Sequence, residues 1–327
     1  MESREIGDTG LRASVLGFGC SGILGRVGRR DSLRALGLAY DLGITFYDTA
    51  RSYGYGESEA LLGGFLSGRR DRVLISTKFG IVPARQQFWK RAAKPIVRAV
   101  MAAMPKARRL IRNQVAAQFS KGQFTVDVFR SSLEESLRKL KTDYVDILFM
   151  HMPPAAALGD HDLMRELEKA KESGKVRVLG VSTDAHLLKE VIAVRPAFIS
   201  AFQFPCNIFD LSAQDSVNTV DGKGLGLLAN HPFGGGQGVA RTWELLRKLA
   251  ASAEAPNEVR RKMAVVDERL LAEVVLNVIL NSKINLVIPA MMKARHLRTN
   301  VDAVMNPLFS ELEMQWLRRN LVRFVGE

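Results

Sequence analysis

The sequence predicts an α/β fold in which eight parallel strands close into a (β/α)8 TIM barrel, with an N-terminal β-hairpin and extra helices in the loops. Eight short apolar runs are spread along the 327 residues, helical patterns lie in the segments between them, and most runs end at a polar side chain. Short strands that alternate with helices are expected to pair in parallel. Eight such units in one chain favour a closed barrel.

The hairpin and the strands follow one another along the chain. Residues 4–12 form the predicted hairpin, with a turn at residues 8–10. The predicted strands are rich in apolar residues and cover residues 14–18, 45–47, 73–77, 145–150, 176–181, 198–202, 225–229 and 284–288. We expect the strands to form the barrel wall and the hairpin to close its bottom.

Apolar residues at helical spacing predict the helices between these strands. In the first helix Leu33, Leu36 and Tyr40 share one face, Asp31 or Ser32 caps the start and Gly43 marks the end. The other predicted helices cover residues 58–66, 129–140, 162–173, 186–193, 268–279, 294–304 and 310–322, with a weaker, polar one at 212–220.

Composition is that of an ordinary globular protein. Hydrophobic residues make up 47% and charged residues 25% of the chain, which excludes disordered and collagen-like classes. No apolar run approaches about 18 residues and the start, MESREIGD, lacks a signal-peptide pattern, so we expect a cytoplasmic protein. Two cysteines, Cys20 and Cys206, and five dispersed histidines argue against a disulfide framework and a metal site. We expect residues 1–327 to form a single domain.

The net charge of +13 is concentrated in one segment. Ten Lys and Arg residues fall within 81–126, where there is no Asp or Glu, whereas the remaining residues carry 37 basic and 34 acidic side chains. Because no nucleic-acid recognition motif accompanies this charge, we expect no nucleic-acid partner.

Functional side chains of an α/β barrel lie at the carboxyl ends of the strands, because the loops converge there on one mouth. At those positions the sequence places Cys20, Asp48, Lys78, His151, Ser182, Gln203, Asn230 and the region of Pro289. Asp48, Lys78 and His151 are ionisable and would perturb one another's pKa at a shared mouth.

Successive motifs at these positions resemble the signatures of the aldo-keto reductases. The matching segments are residues 48–54 (DTARSYG), 76–80 (STKFG), 143–151 (DYVDILFMH), 180–182 (GVS), Gln203 with Asn207, 232–236 (PFGGG), and 287–289 (VIP) with Asn300. The similarity covers nearly the whole chain except the basic segment and parts of 236–264. It implies a reductase of small aldehydes or ketones that uses a nicotinamide cofactor.

The resemblance assigns the four catalytic residues of the family to Asp48, Tyr53, Lys78 and His151. Reduction of a carbonyl requires a hydride at carbon and a proton at oxygen, and a phenol with a pKa of about 10 is a poor acid near neutral pH. We therefore expect the Lys78 ammonium to lower the pKa of Tyr53. Asp48 is expected to hold Lys78 in place, and His151 to orient the carbonyl oxygen.

The resemblance also implies a set of cofactor contacts. They are Gly19, Cys20, Asp48, Ser182, Gln203, Asn230, His231, Pro232, Phe233, Gly234, Met291, Lys293, His296 and Asn300. Ala290 and His296 stand where many members carry the Lys and Arg that bind the 2′-phosphate of NADPH. Because Lys293, Arg295 and Arg298 lie close by and could replace that charge, we expect NADP(H), with NAD(H) as the alternative.

Two other interpretations remain open from the sequence. Residues 17–22 (GFGCSG) follow a strand and fit GxGxxG, and Asp48 ends the next strand, as in a Rossmann-type dehydrogenase. Against that fold, residues 23–30 (ILGRVGRR) lack the helix that should begin at the third glycine. The second alternative is a regulatory subunit that binds the cofactor, since some barrels of this family act as redox-sensing partners.

Residues 81–124 form a basic insertion where the family usually has a shorter connection. Segments 96–104 and 107–118 have amphipathic patterns typical of short helices. We expect a substrate lid, because the insertion follows the strand that ends at Lys78. There are two alternatives. The insertion could contact an anionic membrane surface, since its basic and apolar residues are interleaved, or it could bind an acidic partner.

Overall fold

The computed structural model describes residues 1–25, 27–82, 122–211 and 224–326, and these contain a parallel sheet of eight strands in sequential order. The strands are β3 (Phe18–Gly19), β4 (Phe46–Asp48), β5 (Leu74–Phe79), β6 (Val145–His151), β7 (Val176–Ser182), β8 (Ile199–Pro205), β9 (Gly226–Asn230) and β10 (Leu286–Ile288). Gly17 N donates to Val287 O at 2.8 Å and Gly19 N to Pro289 O at 3.0 Å. These bonds join the first strand to the last and confirm the predicted barrel. The Rossmann interpretation is wrong, because sequential order has no switch point.

Helices surround the barrel. They are α1 (Arg29–Asp41), α2 (Ser58–Phe65), α3 (Val126–Leu140), α4 (Ala155–Leu158), α5 (His161–Glu172), α6 (Leu188–Val194), α7 (Gly235–Ala251), α8 (Asn257–Lys262), α9 (Glu268–Leu280), α10 (Ala294–Met305) and α11 (Glu311–Gly326). In α3, Phe129 and Leu133 are buried and the Thr125 side chain caps the start by accepting from Val128 N. None of the helices in the described ranges is long and apolar enough to cross a membrane.

Some predicted helices fall outside the described residues, and three observed helices are absent from the prediction. The expected helices at 96–104, 107–118 and 212–220 lie in the parts of the chain that the structure does not describe. The short helix α4 and helices α7 and α8 have no counterpart in the prediction. The buried residues of α7 and α8, among them Leu246 and Val259, pack with residues of α9 and α11 in a second hydrophobic cluster.

The N-terminal hairpin closes the bottom of the barrel, as expected. Strands β1 (Ser3–Glu5) and β2 (Arg12–Ser14) pair antiparallel, and Ile6 and Leu11 pack in one buried cluster with inward-facing barrel residues such as Phe46. The predicted strand at 14–18 is wrong at its start. Its first residue belongs to the hairpin, and the barrel ladder begins with a bridge from Leu16 to Val287.

Candidate active site

A buried ion pair lies at the carboxyl ends of β4 and β5. Asp48 is the last residue of β4 and Lys78 the second-last of β5, and they are 4% and 1% exposed. Lys78 Nζ donates to both carboxylate oxygens of Asp48, at 2.7 and 2.8 Å, and to Thr49 O at 2.9 Å. The ammonium is thereby fixed at the mouth of the barrel with its charge compensated.

The Asp48 carboxylate also accepts hydrogen bonds from a second residue of β5 and from a residue of β8. Ser76 Oγ donates to Asp48 Oδ1 at 2.7 Å and Gln203 Nε2 donates to the same oxygen at 2.9 Å. Ser182 Oγ in turn donates to Gln203 Oε1 at 3.0 Å. The carboxylate orientation is therefore determined by hydrogen bonds from β5 and β8 as well as by Lys78.

Tyr53 approaches the ion pair from the loop after β4. Its hydroxyl lies 3.4 Å from Lys78 Nζ, and its ring meets the His151 ring edge to face with centroids 6.5 Å apart. The next residue, Gly54, has φ +58°, and a Cβ there would lie 2.8 Å from Ile23 O. Only glycine fits this close approach without strain. The structure thus brings together the four residues that the sequence predicts to be catalytic.

The net pKa of Tyr53 is higher than the sequence predicts. Burial raises the pKa of Tyr53 above its usual value of 10.0, and this outweighs the lowering by the nearby Lys78 ammonium. For Lys78, burial lowers the pKa, but Asp48 and Tyr53 raise it more and the net shift is upward. The effect of Lys78 on Tyr53 is therefore the predicted one, but the sequence did not predict that burial outweighs it. Tyr53 and Lys78 both carry their protons at neutral pH.

His151, the last residue of β6, is half-buried at the same mouth. Burial, assisted by the Lys78 charge, lowers the pKa of His151 from 6.5 to about 3. The imidazole is therefore neutral at physiological pH. It can donate one hydrogen bond and accept another.

The cysteines do not add a reactive group to the site. Cys20 and Cys206 are both buried. Burial raises the pKa of the Cys20 thiol, and the neighbouring Asp48 carboxylate raises it further. Within the described ranges, no group of three or more His, Cys, Asp and Glu residues could hold a metal ion.

A cleft of about 400 Å³ is lined by residues that follow strands β3, β9 and β10 and by residues of helices α7, α9 and α10, but by none of the four predicted catalytic residues. Six of the predicted cofactor contacts line it, namely His231, Pro232, Phe233, Met291, His296 and Asn300. Gly19 and Cys20 directly precede Ser21, which also lines it, and Gly234 is the residue before α7, with φ +60°. Lys293 is the N-cap of α10, is exposed and does not line the cleft.

The residues at the mouth fit a dinucleotide. Two buried polar atoms, Thr183 Oγ1 and Asn230 Oδ1, have no hydrogen-bond partner in the protein. Thr183 directly follows Ser182 at the end of β7 and Asn230 ends β9, so both atoms lie at cofactor contacts that the sequence predicts. Helix α7 begins in the cleft wall at Gly235, and helix N-termini offer N–H donors to phosphate groups. The volume is also within the range of small-molecule sites.

Sequence reasoning missed several residues of this region, among them four with polar atoms. Ser76 holds Asp48, and Trp243, Glu268 and Thr299 line the cleft. Ser76 could have been found, because it lies two residues before Lys78 on the same strand and therefore on the same face. The other three lie on helices, where no local motif indicates contact with the cleft.

Comparison with known proteins agrees with this geometry. Residues 15–319 match the sequence model of the Aldo/keto reductase family. The chain is 30% identical over 226 residues to the aldo-keto reductase YhdN of Bacillus subtilis, covering 66% of this chain and 57% of YhdN. It is 30% identical over 253 residues to a 6-dehydroglucose reductase of Novosphingobium aromaticivorans, covering 72% of this chain and 69% of that protein.

Solved structures share the fold. The holo form of the aldo-keto reductase AKR11C1 from Bacillus halodurans has a TM-score of 0.71 at 21% identity, covering 98% of this chain and 96% of that one. This likeness shows the barrel architecture, and the sequence match shows the family. Since the match runs through almost the whole chain, this protein belongs to the aldo-keto reductase family.

Proposed function

We propose that the protein reduces a small aldehyde or ketone to an alcohol with a reduced nicotinamide dinucleotide, and that Tyr53 supplies the proton. The observation that carries this proposal is the contact chain in which Lys78 Nζ lies 2.7 Å from Asp48 and 3.4 Å from the Tyr53 hydroxyl. The bound cofactor would supply the hydride to the carbonyl carbon. The protein must then deliver a proton to the carbonyl oxygen.

Tyr53 is suited to donate that proton. Its raised pKa keeps the hydroxyl protonated at neutral pH, so the acid is present before reaction. When the proton leaves for the carbonyl oxygen, the phenolate that remains lies beside the Lys78 ammonium. The ammonium stabilises this negative charge, which develops only as the reaction proceeds. Lys78 therefore acts on the transition state rather than on the resting hydroxyl.

His151 and Asp48 have supporting roles in this proposal. The neutral His151 imidazole can donate a hydrogen bond to the carbonyl oxygen and so direct it toward Tyr53. Asp48, held by Ser76 and Gln203, keeps Lys78 from turning away. No acid other than Tyr53 is needed for the step.

The proposed cofactor contacts come from strand ends and from the cleft wall. Ser182, Gln203 and Asn230 would meet the nicotinamide, and the loop 231–234 with the start of α7 would meet the phosphates. The expectation of NADPH from the sequence depends on Lys293, Arg295 and Arg298. The cytoplasm, where both nicotinamide cofactors are available, is the compartment we propose.

Turnover separates an enzyme from a regulatory subunit that only binds the cofactor. Purified full-length protein is mixed with NADPH or NADH and with a panel of aliphatic, aromatic and sugar-derived aldehydes, and loss of reduced cofactor is followed. Sugars belong in the panel because one relative is named for reduction of 6-dehydroglucose. We expect turnover of at least one carbonyl. Cofactor binding by calorimetry without any turnover would contradict the proposal and favour the regulatory alternative.

A further inference from the structure

Helices α7, α9 and α10 wall one part of the cleft. Trp243 of α7, Glu268 of α9 and Thr299 of α10 line this part. We call it the adenosine end because Ala290 and His296, which stand where many members of the family bind the 2′-phosphate, line it too. Ser21, next to Cys20 at the catalytic mouth, lines the same cleft. A dinucleotide with its nicotinamide beside Tyr53 would therefore place its adenosine among these helices.

The adenosine end carries a negative charge. Among the cleft-lining residues of the described chain, Glu268 is the one acidic side chain, and none is a Lys or an Arg. Ala290, which also lines the cleft, has no charge. Burial lowers the pKa of His296 below 6.5, and this outweighs the opposite effect of Glu268, so its imidazole is neutral. The lining therefore offers a carboxylate and no cation to the ribose.

None of the nearby cationic side chains lines the cleft. Arg295 pairs with Glu268, with Nη2 2.7 Å from Oε1, and its side chain is 67% exposed. Lys293 and Arg298 are exposed, and neither lines the cleft. If Arg295 moved to a 2′-phosphate, it would leave the Glu268 carboxylate uncompensated beside another anion. Like charges in contact are costly, so the pair opposes binding of that phosphate.

The Glu268 carboxylate favours a ribose with a free 2′-hydroxyl over one with a 2′-phosphate. A carboxylate accepts hydrogen bonds and pairs well with a ribose 2′-hydroxyl, whereas a 2′-phosphate requires a cation. The Glu268 side chain is 44% exposed, so its carboxylate is accessible from the cleft that it lines. Resting on the proposed function, we infer that Glu268 makes this cleft selective for NADH over NADPH, contrary to the expectation from the sequence.

Calorimetric titration of the full-length protein with NADH and with NADPH tests this inference. We expect NADH to bind at least about tenfold more tightly, a difference of about 1.4 kcal/mol. In Glu268→Gln the carboxylate is removed and the shape is kept, so the ratio of the two dissociation constants should shift toward NADPH by about fivefold or more. Glu258→Gln is the matched control, because Glu258 forms a similar exposed pair with Arg261 but does not line the cleft.

The outcomes distinguish the inference from the proposed function. NADPH binding as tightly as NADH, or a ratio unchanged in Glu268→Gln, would overturn the inference and leave the reductase proposal intact. Arg295→Ala adds a second criterion, since a large loss of NADPH affinity would identify Arg295 as a phosphate ligand and overturn the inference as well. Failure of both nucleotides to bind would overturn the proposed function together with the inference.

Discussion

At the scale of single residues, Lys78 has two neighbours that both favour its positive charge, at different stages of the proposed reaction. Asp48 compensates the ammonium in the resting protein, and Tyr53 would need it when a phenolate forms. The sequence predicted both contacts from the resemblance. It could not predict the net pKa of Tyr53, because burial depends on the packing of the surrounding loop rather than on the neighbouring charges.

Removal of the ammonium should affect both chemistry and stability. In Lys78→Met we expect kcat to fall by about 10²–10⁴-fold, since the developing phenolate loses its support. The buried Asp48 would lose its cation, so the free energy of unfolding should drop by about 3 kcal/mol or more. Steady-state kinetics and urea unfolding measure the two effects. Lys78→Arg is the control that keeps the charge, and equal activity in wild type and Lys78→Met would contradict the assignment.

His151 should make folding sensitive to acid. Its pKa is about 3 in the folded state and about 6.5 when unfolded, so between these values the unfolded state binds a proton that the folded state excludes. Stability from this residue is present above pH 6.5 and declines as the pH falls toward 3. From pH 7 to pH 5 we expect a loss of up to about 2 kcal/mol.

Urea unfolding at pH 7 and pH 5 checks this contribution. His151→Gln cannot titrate, so its loss of unfolding free energy over the same interval should be smaller than that of the wild type. An equal loss in both proteins would show that the His151 pKa is not depressed by burial.

At the scale of elements, apolar periodicity predicted most strands and helices, whereas a glycine-rich first turn prevented the prediction of one helix. Strands β5 to β10 and helices α1, α9 and α10 lie close to their predicted positions, because apolar runs and helical spacing were strong there. Helix α7 was missed, although Leu245, Leu246 and Leu249 form its buried face. Three glycines occupy its first turn, and each disfavours a helix by about 1 kcal/mol.

Strand β6 contains a buried carboxylate that ties neighbouring elements together. Asp146 is 0% exposed and accepts from Arg70 Nη2 at 2.7 Å, Arg177 Nη1 at 2.8 Å and Ile75 N at 2.8 Å. It lies at the start of β6, at the opposite end of the strand from His151. Its role is therefore in stability rather than in chemistry.

Asp146→Asn tests this separation of roles. We expect the free energy of unfolding to fall by about 3 kcal/mol, because Arg70 loses its buried counter-ion. Arg177→Ala is the matched control, since Arg177 is 46% exposed and should cost about 1 kcal/mol or less. Denaturation curves give the stability, and kcat of the folded fraction should be unchanged. A large loss of kcat in Asp146→Asn would contradict the separation.

At the scale of the whole molecule, both ends of the basic insertion join the barrel at the same place. Gln123 N donates to Gly80 O at 2.7 Å, so the two ends of the insertion meet directly after β5. The barrel and the hairpin were predictable from periodicity. The conformation of residues 83–121 lies outside the described residues, and its role stays a prediction from the sequence.

Deletion of residues 85–120 tests the lid proposal. Because the ends of the insertion meet, we expect the truncated protein to fold with a melting temperature close to that of the full chain. Its KM values for bulky and small carbonyls should change relative to one another. Unchanged kinetics would remove the lid, and loss of sedimentation with anionic liposomes on deletion would favour membrane contact instead.

The most direct test of the account is the behaviour of Tyr53→Phe, which removes one oxygen and keeps the ring. We predict that hydride transfer from the reduced cofactor to a carbonyl falls by about 10²–10⁴-fold. The dissociation constant of the cofactor should remain near that of the wild type, because the hydroxyl bonds to Lys78. Turnover in Tyr53→Phe at the wild-type rate would contradict the claim that this phenol supplies the proton.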